Sequence, residues 1–467
     1  MKDDNSASGV IQHLRDRIAG EPAGSRLPSV RELMAMLHVG PGTVQRAMAQ
    51  LASEGVIEAQ PGRGTFIAAH PTASRPPDDF AWQSVALGPG RAASEALGEL
   101  VAAPPSDKIA LTGGYLPEDL EARAPLDAAM GRALRRPGVW GRIPLEGLET
   151  LRLWFAREIG NGMRPHDVVI CPGGQAAIAG VFRALAAPGA AVLVESPTYI
   201  GALTAARAAG LRLVPVPSDA HGVRPEMLQA AFAASGARVF YCQPTYANPS
   251  GASLSAERRR AVIEQVVAAG AFLVEDDWAR DLALDGEAPP PLAATDRDGH
   301  VVYIRSLTKP AAAGLRIAAI CARGAALTRL KTMRTIDDFF VSGPLQEAAL
   351  QLVTSPAWPR HLRAIAAALR ERRTALVAAV HEHFGRDSLA LVPGGGFHLW
   401  LRLPDEVSDG DIARRAAQAG IIVSAGHHWF PAEPPGSFLR LSFVGAAPDA
   451  LAAGVAKLAR LVTRPDR

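Results

Sequence analysis

The sequence predicts an α/β protein in two parts: a small helical unit closed by a hairpin, then a large unit with a mainly parallel sheet. Three observations carry this. The chain has 467 residues, about three times an ordinary ~150-residue domain. Helical periodicity in the first 60 residues gives way to a glycine-marked hairpin. Further on, short continuous apolar runs alternate with helical segments, as in a sheet covered on both faces.

In the first unit Val10, Ile11, Leu14 and Ile18 fall at helical spacing, and Gly20 with Pro22 closes the segment. Ser29-Val30-Arg31-Glu32 reads as a capping box, in which the serine hydroxyl and the glutamate satisfy each other's backbone N–H groups. Val30, Leu33, Met34 and Leu37 then line one face, and residues 38–42 form a short turn. A third helix carries Val44, Ala47, Met48 and Leu51 on one side, with Gly55 at its end. Pro61-Gly62-Arg63-Gly64 joins two short β-type runs. Three helices and a hairpin in this order make a winged helix-turn-helix. Charge does not signal a nucleic-acid binder, because seven basic and seven acidic residues cancel over the first 70.

From Ala68 to about Pro105, six prolines (Pro71, Pro76, Pro77, Pro89, Pro104 and Pro105) mark an extended linker, with one short helix expected at 92–101. Beyond it the clearest strands are 191–194, 239–242, 271–274 and 301–304. A helix at 256–269 is capped by Ser255, with Gly270 after its end. The expected division is a winged helix-turn-helix at 1–69, a linker at 70–105 and the α/β unit at 106–467. The hydrophobic share of 48% and charged share of 20% exclude wholesale disorder. The three cysteines, Cys171, Cys242 and Cys321, are far apart and in no CxxC pair, which argues against a disulfide scaffold or a zinc ribbon. With no signal-peptide pattern and no apolar span, a cytoplasmic location is expected, with no membrane partner.

Ligands in open α/β sheets bind beyond the carboxyl ends of strands. There the sequence places Tyr199, Asn248, Asp276 with Asp277, and Ser306, Thr308 and Lys309. A lysine in a dry pocket readily gives up its proton and can form a Schiff base. A buried carboxylate keeps a pyridine nitrogen protonated. Arg316 and the Gly173-Gly174-Gln175 turn before a helix suit a phosphate. Pyridoxal 5'-phosphate demands such a set.

Over roughly 109–462 the chain resembles the class I, fold-type I aminotransferases. The motifs are Gly173-Gly174-Gln175, Glu195-Ser196-Pro197-Thr198-Tyr199, Asn248-Pro249-Ser250-Gly251, Glu275-Asp276-Asp277, Ser306-Leu307-Thr308-Lys309, Gly314-Leu315-Arg316, Pro393-Gly394-Gly395-Gly396 and Phe438-Leu439-Arg440-Leu441. The first part resembles the GntR family, through Leu27-Pro28-Ser29-Val30-Arg31-Glu32-Leu33, Gly42-Thr43-Val44, Leu51-Ala52-Ser53-Glu54-Gly55 and Gly62-Arg63-Gly64-Thr65-Phe66. The two joined this way resemble the MocR subfamily, bacterial regulators with an aminotransferase-like sensor.

The resemblance implies roles. Lys309 would hold pyridoxal phosphate as an internal aldimine, Asp276 would pair with the ring nitrogen, Asn248 with the ring hydroxyl, and Tyr199 would stack on the ring. Gly174, Gln175, Ser306 and Arg316 would bind the phosphate, and Arg440 the carboxylate of an amino-compound effector. On double-stranded DNA, Arg31, Thr43, Gln45 and Arg46 would meet the major groove, and Arg63 the phosphates or the minor groove. A homodimer is implied as well. Two positions depart from the family: Gly40-Pro41 stands where a Ser-Arg or Thr-Arg pair opens the recognition helix, and Trp278 where a tyrosine hydroxyl would reach the cofactor ring. The expected function is a pyridoxal phosphate-dependent, DNA-binding transcription regulator. The alternatives are a working aminotransferase with an appended winged helix, and a sensor of pyridoxal phosphate alone.

Overall fold

A computed structural model describes residues 4–68, 80–87, 90, 98, 102, 105 and 107–463. The chain divides into two units, Met1–Pro89 and Gly90–Arg467.

The first unit contains α1 (Asp4–Gly20), α2 (Val30–Leu37) and α3 (Pro41–Ser53), followed by β1 (Ile57–Gln60) and β2 (Gly64–Ile67). The capping box forms as expected: Ser29 Oγ accepts from the Glu32 N–H, and Glu32 accepts from the Ser29 N–H at 2.7 Å. Pro41 occupies the first position of α3, where its missing N–H costs no hydrogen bond. The hairpin pairs Ile57 with Ile67 in antiparallel register, and Gly62 takes the left-handed conformation that its turn requires (φ 75°). Leu14, Leu33, Val44, Ala47, Leu51, Ile57 and Ile67 are among the residues that close one small core. At about 1.5–3 kcal/mol for each large side chain fully buried, this core holds the three helices together, and α2, with 8 residues, is too short to persist alone. A further helix, α4 (Ala81–Leu87), falls within the stretch read from sequence as linker. The helix expected at 92–101 lies, apart from Gly98, outside the described residues.

The second unit is built on an eight-stranded sheet. In chain order after β3 (Ile109–Ala110), its strands are β4 (Val168–Cys171), β5 (Ala191–Ser196), β6 (Arg212–Asp219), β7 (Gly222–Val223), β8 (Val239–Cys242), β9 (Phe272–Asp276), β10 (Val301–Ser306) and β11 (Ala318–Cys321). The spatial order is β4-β11-β10-β9-β8-β5-β6-β7. Neighbours from β6 to β10 are parallel, whereas β11 runs antiparallel to both of its neighbours and β7 folds back on β6. All four strands expected from sequence are present. Three of them run further than expected, β5 to Ser196, β9 to Asp276 and β10 to Ser306, so Asp276 and Ser306 end strands rather than begin loops. The parallel ladder continues there, pairing Ile304 with Asp276. The helix Ala256–Ala268 starts at Ser255, whose hydroxyl accepts from the Arg258 N–H.

Apolar clusters cover this sheet, which accounts for its continuous Val/Ile/Leu runs. A second lobe draws on both ends of the unit. There β12 (His398–Arg402), β14 (Ser424–Ala425) and β15 (Phe438–Ser442) form an antiparallel sheet, and β13 (Ile421–Ile422) pairs in parallel with β3. Among the described residues, no helix is long and apolar enough to cross a membrane.

Candidate pyridoxal phosphate site and DNA-facing surface

Because β5, β8, β9 and β10 are parallel, their carboxyl ends open on one side of the sheet, where a cavity of about 370 Å³ lies. Gly174, Gln175, Tyr199 and Asn248 line it, as do Asp276, Ser306, Lys309 and Arg316. These eight come from segments up to 142 residues apart in sequence, and the topology alone brings them together.

Lys309 follows β10. Its Nζ donates to the Gly114 carbonyl at 2.5 Å and sits 3.7 Å from the Tyr115 ring centroid. Burial, with the Arg440 and Arg316 guanidinium groups nearby, pulls its pKa down to about 7. A lysine in that state is a competent nucleophile at neutral pH.

Asp276 is buried, and burial pushes its carboxyl up to about 6, against the pull of two hydrogen bonds. Both arrive at Oδ2, from the Tyr241 hydroxyl at 2.6 Å and Gln243 Nε2 at 2.8 Å. Such a carboxylate is what a protonated pyridine nitrogen pairs with.

The N-terminus of the helix Gly174–Leu185 opens on the cavity, and its N–H groups and dipole favour an anion there. Gly173 has φ 99°, and a Cβ there would run into the Arg316 guanidinium. A Cβ on Gly174 would touch the Ser306 side chain at 3.7 Å. The turn, the arginine and the serine therefore converge on one small space. The Gln175 side chain is engaged elsewhere: Nε2 donates to Gly201 O at 2.8 Å, and Oε1 accepts from the Tyr199 hydroxyl at 3.1 Å. What Gln175 can offer a phosphate is its backbone N–H. An amine, a carboxylate, a cradle free of side-chain bulk and an aromatic ring fit pyridoxal phosphate.

Arg440, on β15, does not line the cavity. It is 1% exposed, with its guanidinium 4.4 Å from the Trp429 ring centroid. It donates to Asn248 Oδ1 and Thr112 Oγ1, both at 3.3 Å, and lies 3.4 Å from His398 Nε2. Among the described residues its Nε has no hydrogen-bond partner. It stands directly behind Asn248 and His398, which do line the cavity. Trp278 is buried in the wall. Its indole N–H donates to the Tyr246 carbonyl at 3.1 Å, and its ring stacks on His398.

Sequence reasoning missed Tyr115, Gln243 and His398. Gln243 follows β8 directly, so the strand-end rule could have found it. Tyr115 and His398 come from the second lobe's segments and carry no local signal.

In the first unit, Arg31 on α2, Gln45 and Arg46 on α3, and Arg63 in the hairpin turn are all exposed. Among the described residues these three arginines form no ion pair, whereas Arg15 and Arg17 are held by Glu54 and Glu21. Thr43 departs from expectation. It is 8% exposed, because it shares with Ala47 and Leu51 the face of α3 that packs inward. It has little surface to offer DNA.

The family described as "Aminotransferase class I and II" matches residues 142–458, and "Bacterial regulatory proteins, gntR family" matches 6–67. The chain belongs to the class I and II aminotransferase family. It carries a GntR helix-turn-helix domain ahead of that fold, in the MocR arrangement. An uncharacterized HTH-type transcriptional regulator, YdfD of Bacillus subtilis (strain 168), is 26% identical over 463 residues, spanning 97% of this chain and 95% of the relative. The vitamin B6 salvage pathway transcriptional repressor PtsJ of Salmonella typhimurium (strain LT2) is 27% identical over 448 residues, 95% of each. Among solved structures, the α-aminoadipate aminotransferase LysN of Thermus thermophilus, complexed with N-(5'-phosphopyridoxyl)-L-leucine, is 27% identical. It aligns with a TM-score of 0.73 over 81% of this chain and 98% of its own. The fold and the donor set together indicate pyridoxal phosphate as the cofactor of this site. The combination of domains is that of a transcription regulator.

Proposed function

We propose that this chain is a homodimeric transcription regulator whose aminotransferase-like unit senses pyridoxal phosphate, an amino compound, or both, and thereby changes how the winged helix holds DNA. Its working parts are the head at 1–69, the linker at 70–105 and the effector unit at 106–467. The observation that carries this reading is the alignment of whole-length regulators across both units, in a chain whose cavity gathers Lys309, Asp276 and Arg316.

Bound in the cavity, pyridoxal phosphate supplies a carbon that reacts reversibly with amines and a ring that withdraws electrons. Lys309, with its pKa near neutrality, is the amine that would hold that carbon. Asp276 would hold a proton at the ring nitrogen, Asn248 would pair with the ring hydroxyl and Tyr199 would stack on the ring. Gly174, the Gln175 N–H, Ser306 and Arg316 hold the phosphate. Arg440 takes the effector's carboxylate as a two-pronged pair, exchanging its present contacts with Asn248 and Thr112 for it. Arg31, Gln45, Arg46 and Arg63 contact DNA. A regulator needs the two ligand states to differ in DNA affinity, and ~1–3 kcal/mol is a typical coupling. Trp278 favours sensing over turnover, since its one polar group is spent on the Tyr246 carbonyl.

The test is a titration of the cofactor-loaded protein with a panel of α- and ω-amino acids, followed by visible absorption. At least one member should shift the spectrum, and Arg440→Ala should lose that shift while keeping the cofactor. A response that survives Arg440→Ala contradicts the carboxylate-anchor role. No response to any member leaves the cofactor as the only signal and removes the amino compound from the proposal.

A further inference from the structure

Gln243 is the most connected residue of the site that the functional reading does not use. It follows β8 directly, is 2% exposed and lines the cavity with Lys309. Its amide has one possible orientation. Oε1 accepts the Asn248 backbone N–H at 2.9 Å, so the NH₂ end is the one facing Asp276 Oδ2, at 2.8 Å. The backbone N–H of Gln243 donates to the buried Glu195 carboxylate at 2.7 Å, which fixes the residue from the strand side. Asn248 in turn accepts from Arg440. A continuous run of hydrogen bonds therefore joins Arg440, Asn248, Gln243 and Asp276.

The consequence for Asp276 is specific. A buried carboxylate favours its neutral form unless donors hold the charge. Asp276 has two such donors, Gln243 and Tyr241, and both bind the same oxygen. Oδ1 is left as the oxygen available to a ring nitrogen. Of the two donors, only Gln243 also reaches the segment that carries Asn248.

We propose that Gln243 is a positioning residue, which holds the Asp276 carboxylate ionised with one oxygen turned to the cofactor ring and ties it to the Asn248 segment. This rests on reading the cavity as a pyridoxal phosphate site.

The test uses the full-length protein and two readouts, affinity for pyridoxal phosphate and the pH at which the bound cofactor's visible absorption titrates. Gln243→Glu keeps an acceptor for the Asn248 N–H but sets a second carboxylate against Asp276. Gln243→Leu removes both contacts. If Asp276 loses its charge, the ring loses its proton and withdraws electrons less, so the chromophore holds its own proton to higher pH. Both variants should titrate about one pH unit or more above wild type and bind the cofactor roughly tenfold more weakly. Gln243→His, which retains a ring N–H donor, should stay closer to wild type than either. Wild-type midpoint and affinity in Gln243→Glu and Gln243→Leu would overturn the proposal while leaving the cofactor reading intact. Absence of any visible absorption in the loaded wild type would overturn the cofactor reading, and this proposal with it.

Discussion

Lys309 and Trp278 set the chemical character of the site. The Lys309 amine is predominantly neutral above about pH 7 and protonated below it, because burial and two nearby arginines disfavour the cation. Attachment of pyridoxal phosphate, followed by stopped-flow absorption, should be fast at pH 8 and slow by about tenfold per unit below pH 7. A midpoint near 10 would show an ordinary exposed lysine. Lys309→Ala should abolish the mass increment that borohydride reduction fixes in the loaded wild type. Trp278→Tyr supplies a hydroxyl where the indole N–H is turned to Tyr246. One added hydrogen bond of ~1–1.5 kcal/mol corresponds to about a tenfold gain in single-turnover conversion of an amino donor. An unchanged rate would mean that Trp278 does not limit the chemistry. At this scale the sequence was informative wherever a residue sat in a family motif or at a strand end. Arg440 shows the boundary: its identity was legible, but its place behind Asn248 and His398 depends on β12 and β15 pairing.

At the level of elements, the two proposed binding functions rest on the turn before the helix Gly174–Leu185 and on the helix α3. Gly173→Ala adds a methyl at φ 99° and drives it into Arg316, so phosphate affinity should fall by about tenfold or more. Equilibrium dialysis with pyridoxal phosphate measures this, and wild-type affinity would show that the Gly173–Arg316 contact does not shape the cradle. On α3, Arg46→Ala should weaken DNA binding and reduce the slope of log affinity against log salt by about 1, as for one lost phosphate contact. Thr43→Val should leave both nearly unchanged, since that side chain faces the core. The burial of Thr43 was available to sequence reasoning, because it stands four and eight residues before Ala47 and Leu51 on the inward stripe. The helix α4 was not legible, as its seven residues lie among linker prolines with no periodic neighbour to pair with. The sheet strands were legible because both faces are covered, which removes the alternation that makes exposed strands ambiguous. The extra residues of β9 and β10 were not. A buried acid and a buried serine at a strand end look like loop residues until the ladder is seen.

For the whole molecule, the two-part division followed from the change of texture along the chain, a helical period followed by prolines and then apolar runs. The cavity followed from parallel strands opening on one side. The missed wall residues, Tyr115 and His398, come from the second lobe, which is assembled from both ends of the unit and has no sequence pattern of its own. On the proposed function, occupancy of the pyridoxal phosphate site changes the affinity for DNA. Fluorescence anisotropy of the full-length protein on DNA from upstream of its own gene tests this, at one fixed salt concentration because phosphate contacts dominate affinity. Wild type and Lys309→Ala are each measured with and without pyridoxal phosphate. Selective binding over random DNA that shifts about fivefold or more with cofactor in the wild type, and not in Lys309→Ala, is the predicted result. Equal affinity in all four samples, with cofactor loading verified by absorption, would contradict it.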